Sequence, residues 1–245
     1  MLARLQIELR TAQGDFIPYQ KAAVLQSILM EQVGETYASL LHKSELHPYS
    51  QSVIRQNEKN IWNITTTNQE AFQHILLPLL DSEFRAFTME DDGWEVSVAA
   101  KKLRQIAKNE FVEKYCFEGS QRYLKLSFIT PTAFKQRGEY VNIPKLRLIY
   151  QSLMNKYDAA SDTETVGSEE LLEQLLTYSK VVQYHLRSCQ YPIRGVRVPA
   201  FLGQITVRVD GPQAMVDFLH MLFRFGEYAG VGIKTAMGMG AVRAV

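Results

Sequence analysis

The chain has 245 residues, with 27 Lys and Arg against 26 Asp and Glu, a net charge of +1, and 46% hydrophobic residues. This is an ordinary globular composition, long enough for one large domain or two small ones. No apolar run approaches the ~18–20 residues of a membrane span, and the two cysteines, Cys116 and Cys189, lie outside any Cys-x-x-Cys unit, which argues against a zinc ribbon or a disulfide framework.

The first residues, Met1 to Arg10, alternate apolar and polar side chains. They read as a strand over about 2–12 and lack the apolar core of a signal peptide, so the expected location is cytoplasmic, with no membrane partner. Pro18 opens a helix that carries Val24, Leu25, Ile28, Leu29 and Val33 at helical spacing, and Gly34 breaks it. A second short helical piece holds Tyr37, Leu40 and Leu41. Strands follow near 49–56 and 61–67, joined by Asn57-Glu58-Lys59-Asn60, a hairpin-turn composition. A helix over about 69–80 and strands near 84–88 and 94–100 complete a β-α-β-β-α-β order, the ferredoxin-like signature.

The second half repeats that order. A strand from Tyr123 to Ile129 stops at Pro131; helices run over about 145–157 and 169–178, with a polar, turn-rich stretch between them. Strands follow near 181–188 and 201–209. Asp210-Gly211-Pro212 starts a last helix through about Tyr228, and 241–245 forms a closing strand. The fold class is therefore α+β, with tandem ferredoxin-like (RRM-like) domains at 1–119 and 120–245.

Between the last helix and the last strand the chain reads Gly230-Val231-Gly232-Ile233-Lys234-Thr235-Ala236-Met237-Gly238-Met239-Gly240. Two Gly-x-Gly units with apolar middles flank five residues that carry one lysine. It is not a Walker A loop, because Ile233 and not glycine precedes Lys234. It is not a dinucleotide fingerprint, because Thr235 stands where a third glycine belongs. Free amides in such a loop form a concave anion site, Lys234 adds charge, and the simplest ligand is a phosphodiester backbone.

Charge distribution points the same way. Residues 1–121 hold 12 Lys and Arg against 16 Asp and Glu, whereas 122–245 hold 15 against 10. Arg122, Lys125, Lys135, Arg137, Lys145, Arg147 and Lys156 have only Glu139 among them, and Lys180, Arg187, Arg194, Arg197 and Arg208 have no acid. The acids gather between these runs, at Asp158, Asp162, Glu164, Glu169, Glu170 and Glu173. A basic stripe of this kind suits a nucleic-acid face. Tyr123, Phe128 and Phe134 alternate with the cations, a pattern that reads chiefly as the core side of a half-buried strand.

Taken together, these segments resemble the CRISPR-associated endoribonucleases that cut precursor CRISPR RNA within its repeats, the sixth Cas family of the RAMP superfamily, and are closest in look to members accompanying type III systems. The carrier is the Gly-φ-Gly, five residues with a cation, Gly-φ-Gly pattern of 230–240. Phe128 to Lys135 resembles the family's first strand of the second half, and Val198 to Gln204 resembles the strand before its final helix. The family's Leu-His segment after the N-terminal helix corresponds to Leu41-His42-Lys43-Ser44-Glu45-Leu46-His47-Pro48-Tyr49-Ser50, which places His42 at the catalytic-histidine position. Some members use a tyrosine on the preceding helix. The matching Ser27-Ile28-Leu29-Met30 offers no hydroxyl beyond Ser27, so His47 or a lysine is the second group.

The resemblance implies a metal-independent, cofactor-free endoribonuclease. The 2′-OH beside the scissile phosphate attacks, a base takes its proton and an acid protonates the 5′-oxygen, leaving 2′,3′-cyclic phosphate and 5′-OH ends. Imidazole suits either proton role. Expected RNA contacts are Gly230, Gly232, Lys234, Thr235, Gly238 and Gly240 of the loop, with Lys135, Arg137, Lys145 and Arg147 on the backbone phosphates. Expected partners are the precursor CRISPR RNA repeat and, transiently, a CRISPR effector complex. His74 and His220 read as structural, and His185 sits in a basic strand. The competing readings are a non-catalytic RAMP-type RNA-binding subunit of an effector complex, which needs no general acid, and a small-molecule nucleotide enzyme using the loop as a phosphate cradle.

Overall fold

The computed structural model describes residues 1–89, 93–117, 119–161, 165–193 and 195–245. Asp162, Glu164 and Arg194, three of the charges noted above, lie outside the described residues. The first sheet has the order β2-β3-β1-β5-β4. It is built from β1 (Leu2–Thr11), β2 (Tyr49–Gln56), β3 (Lys59–Thr66), β4 (Ala86–Met89) and β5 (Trp94–Ile106), each antiparallel to its neighbours. Alternation along β1 sends Leu5, Ile7 and Leu9 into the core. There they meet α1 (Ala22–Glu31), through Leu25 and Leu29, and the helical segment over 69–80, through Ile75 and Leu79. β2 and β3 are joined by two residues, Asn57 and Glu58, both at positive φ. That is the primed turn whose twist matches a hairpin.

The second sheet has the order β11-β6-β10-β9. Its strands are β6 (Tyr123–Thr132), β9 (Ser179–Ile193), β10 (Val196–Val209) and β11 (Val242–Ala244), and it packs on α6 (Leu146–Ala159), α7 (Glu169–Tyr178) and α8 (Gln213–Ala229). With β4 set aside, both sheets place the last, first, third and second strands in succession, which is the ferredoxin-like arrangement in tandem. Among the described residues no helix is long and apolar enough to cross a membrane.

Several elements differ from the sequence reading. β6 does not stop at Pro131 but passes through it to Thr132. A bulge makes this tolerable: the register with β10 jumps from Phe201↔Thr132 to Gly203↔Phe128, so Pro131 is not required to donate to the ladder. β9 and β10 are far longer than 181–188 and 201–209 and form one projecting hairpin. The helix over 69–80 contains a π-helical turn, Phe72–Leu76, between α3 (Gln69–Ala71) and α4 (Leu77–Leu80). α5 (Lys108–Cys116) was not anticipated; it fastens to α8 through Phe111, whose ring meets Tyr228 edge-on. A short hairpin of β7 (Phe134–Gln136) and β8 (Glu139–Val141) was also missed.

Candidate active site

The site begins where α8 ends. α8 carries Val216, Leu219, Leu222, Phe223 and Phe225 into the core of the second half and stops at Gly230, whose φ of 67° turns the chain. In the loop that follows, Val231 and Met239, the apolar middles of the two glycine units, are fully buried. The glycines let the backbone close on itself around them. A Cβ on Gly232 would stand 2.2 Å from the Ala133 carbonyl oxygen, and one on Gly240 2.1 Å from that of Val231. This changes the expectation of free amides. Gly230 N–H donates to Gly226 O, Val231 to Gly240 O, Gly232 to Ser152 Oγ, Ile233 to Ala133 O and Gly240 to Pro131 O, at 2.8–3.0 Å. Most of the loop's donors therefore hold the loop together. Lys234, half-buried and left-handed at φ 55°, heads the short 3₁₀ turn Thr235–Met237.

Beneath the loop lies Lys156 of α6, which the sequence reading had counted with the basic stripe. It is only 7% exposed. Its Nζ donates to the carbonyls of Ala229 and Gly230, each at 3.1 Å, and to Thr235 Oγ1 at 3.3 Å. Burial pushes its pKa down to about 7. Thr235 is thereby turned inward: its hydroxyl fixes the loop and is not presented to solvent as a ligand donor.

The first half reaches the same helix end. Ser50 Oγ donates to Tyr228 O at 2.9 Å and Thr65 Oγ1 to the same oxygen at 2.5 Å. The buried Gln51 amide donates to Ala22 O and to Ala236 O of the loop, while its oxygen accepts from Trp62 Nε1. Tyr191, near the tip of the β9–β10 hairpin, donates from its hydroxyl to Met237 O at 2.7 Å, with Tyr19 O at 3.2 Å.

This docking carries the histidines with it. His42 is exposed in the last turn of α2 (Glu35–Lys43), where a cation suits the helix dipole. A tight turn, with Ser44 Oγ donating to Leu46 O at 2.7 Å, brings the chain to His47 just before β2. His47 is half-buried, its ring tilted on Tyr49 at 5.6 Å. Burial first, then the like charges of His42 and Lys156, hold its imidazole below the ordinary pKa. Its Nδ1 is buried without a hydrogen-bond partner among the described residues. His47 is thus under the influence of His42 from α2 and Lys156 from α6, one group from each half of the chain. Tyr49 packs its hydroxyl against Gln26 and Met30 of α1, and burial raises its pKa, which leaves it a core phenol.

Of the other expected contacts, Lys135, Arg137 and Lys145 are exposed, Arg137 in the β7–β8 turn and Lys145 at the N-cap of α6. Ala133, whose carbonyl accepts from Ile233 of the loop, immediately precedes β7, so that hairpin flanks the cradle. Arg147 is less free than its position suggested, because its guanidinium pairs with Glu169 and Glu173 of α7. Arg122 donates to Val209 O and Gly211 O and so closes the base of β10. The basic stripe is thus partly structural. Tyr123 is exposed, whereas Phe128 and Phe134 are core. His220 is packed as expected, with Ser120 Oγ 2.7 Å from its Nδ1. His74 lies exposed on the π-helical turn, stacked on Tyr37 at 4.4 Å. The groups that sequence reasoning missed are Lys156, Ser152 and Gln51. The first two carried a signal: positions 152 and 156 fall three and seven residues after Ile149, on the buried stripe of α6.

Comparison with known proteins identifies the family. The profile of the CRISPR-associated endoribonuclease Cas6 family matches residues 126–242. The chain is 32% identical over 227 residues to the CRISPR-associated endoribonuclease Cas6 of Streptococcus thermophilus, covering 92% of each protein. It is 34% identical over 220 residues to that of Mycobacterium tuberculosis, covering 89% of this chain and 70% of the relative. In fold it resembles a solved Cas6 product complex, with a TM-score of 0.81 at 20% identity over 100% of this chain and 99% of the other. A Cas6 substrate mimic complex gives 0.77 at 20% identity, with the same coverage.

Proposed function

Because the chain belongs to the Cas6 family of CRISPR-associated endoribonucleases, we propose that it cleaves precursor CRISPR RNA within the repeats, with His42 and His47 as its proton-transfer groups. In this reading the RNA strand lies along the outer side of the glycine loop. Lys234 and the exposed Lys135, Arg137 and Lys145 bind its phosphates; Arg147 joins them only by exchanging its two carboxylates for a phosphate. His47, kept neutral at pH 7 by its surroundings, takes the proton of the 2′-OH. The 2′-oxygen bonds to phosphorus, the bond from phosphorus to the 5′-oxygen breaks, and His42 in its protonated form gives that oxygen its proton. The products are a 2′,3′-cyclic phosphate and a 5′-OH. Residues 1–119 supply the imidazoles and residues 120–245 the cradle. The reaction belongs in the cytoplasm, and the product passes to a CRISPR effector complex by transient contact.

One observation carries this reading: the end of α8 accepts hydrogen bonds from both halves, which sets the His42–His47 segment beside the glycine loop. The experiment is incubation of the protein with labelled repeat RNA in EDTA, followed by end-group analysis. Cleavage to a 2′,3′-cyclic phosphate is expected, and a 2′-deoxy nucleotide at the cut site should abolish it. Cutting that survives the 2′-deoxy substitution would refute the route.

A further inference from the structure

Lys156 is buried at the junction, and among the described residues no carboxylate is among its hydrogen-bond partners. Its three acceptors are the carbonyls of Ala229 and Gly230 and the hydroxyl of Thr235. The two carbonyls are those that close α8, where unsatisfied C=O groups carry the negative end of the helix dipole. Tyr228 O, the carbonyl just before them, is capped from the other half by Ser50 and Thr65. Three successive carbonyls are thus divided between a lysine under the loop and a strand that starts two residues after His47. The groups facing this ammonium are the carbonyl end of α8, Thr235 of the loop and, from the segment before β2, His47. Facing His47 are His42 from α2, Tyr49 from β2 and Lys156 from α6.

We propose that Lys156 is a positioning residue for the cleavage reaction: its ammonium pins the glycine loop to the end of α8 and fixes a positive charge behind His47. The proposal rests on the reading of His47 as the proton acceptor. The two roles are compatible in sequence of titration. Lys156 takes its proton at about pH 7, above the range in which the lowered His47 would take its own. The ammonium is therefore already charged when His47 approaches its titration.

The test combines two substitutions with two readouts. Lys156→Met keeps most of the length of the side chain and removes the donors and the charge. Lys156→Gln removes the charge and supplies, on a stem one atom shorter, an amide N–H that can donate to a carbonyl. The first readout is NMR titration of the His47 ring in the free protein; the second is single-turnover cleavage of repeat RNA across pH. His47 should titrate below the ordinary imidazole value in the unsubstituted protein and move upward in both variants, with the acid limb of the rate profile moving alongside it. Lys156→Met should also lose on the order of 10²-fold in rate, the scale of a small misplacement of reacting groups, and Lys156→Gln should recover part of it. A folded Lys156→Gln or Lys156→Met whose His47 titration and acid limb are unmoved would reduce Lys156 to a structural pin and overturn the proposal. A His47 that titrates at or above the ordinary value in the unsubstituted protein overturns it without any variant. If the unsubstituted protein leaves repeat RNA intact while His47 still responds to Lys156, the enzymatic reading fails and the charge coupling stands.

Discussion

Gly232→Ala and Gly138→Ala pose the same backbone problem in different surroundings. Both glycines are left-handed, at φ 80° and 86°, where an L-residue is strained by roughly 1–2 kcal/mol. Alanine also restricts the unfolded chain, which returns about 0.4–1 kcal/mol. At Gly138, in the β7–β8 turn, nothing lies within 4 Å of a new Cβ, so the net loss should stay below about 2 kcal/mol. At Gly232 the Cβ would stand 2.2 Å from the Ala133 carbonyl oxygen. That oxygen belongs to the backbone and already accepts from Ile233 N–H at 3.0 Å, so it cannot swing aside cheaply. Forced overpacking costs about 1–3 kcal/mol, and the strained hydrogen bond about another 1. Gly232→Ala should therefore lose about 2–6 kcal/mol, a large part of the 5–15 kcal/mol typical of a folded protein. Urea unfolding followed by circular dichroism measures both variants. Cleavage assayed where both are folded should fall much further for Gly232→Ala, since Lys234 rides on the displaced segment. Equal losses at the two positions would show that φ alone, and not the close approach of two backbones, is why glycine stands in the loop.

His42→Ala and His47→Ala should each lower single-turnover cleavage by roughly 10²–10⁴-fold while repeat RNA is still retained in a gel-shift assay; loss of binding in step with cleavage would point to an RNA-contact role. The rate should hold as pH falls through the ordinary imidazole value of ~6.5 and drop only below it, because His47 is held lower. Folding stability should rise with pH above neutrality: Lys156 has a pKa of about 7 in the folded protein against 10.5 as its ordinary value, so between those values the unfolded chain binds the extra proton. The resulting stabilisation grows from pH 7 to 10.5, reaches about 5 kcal/mol, is lost as pH falls to 7, and should vanish from the unfolding midpoints of Lys156→Met. Lys145→Ala should reduce the slope of log affinity against log salt by about 0.7, the value for one phosphate contact to a single strand, whereas Arg147→Ala, whose guanidinium is held by Glu169 and Glu173, should leave that slope unchanged.

The fold was legible because its signals are local. Strand alternation in Leu5, Ile7 and Leu9, the turn at Asn57-Glu58 and the apolar stripe of α8 each specify one element without reference to the rest. What escaped depends on partners distant in sequence. α5 has a short, weakly amphipathic pattern and exists because Phe111 finds Tyr228. β6 runs through Pro131 because a bulge with β10 excuses the missing donor. The same division holds in the site. His42 and His47 were visible as residue types in a recognisable segment, and the glycines as a pattern. The cations were read by counting charge along the chain, which cannot separate Lys145, facing solvent, from Lys156, facing carbonyls. Helical phase can do so, because 156 continues the buried stripe of Ile149 and Leu153.

The glycine loop therefore has a structural task that precedes any ligand. A helix must dispose of its last carbonyls, and α8 does so by recruiting Ser50 and Thr65 from the first half and Lys156 from the second. The loop must then pass close to Ala133 and fold back on Val231 for its own amides to be satisfied, and glycine at 232 and at 240 allows those two approaches. Once these constraints are met, Lys234 is left half-buried and left-handed at the head of the 3₁₀ turn Thr235–Met237. The place of the glycine loop relative to the first half is thus a consequence of how one helix end is capped. A change that uncaps α8 should act on cleavage as strongly as the loss of a group that touches RNA.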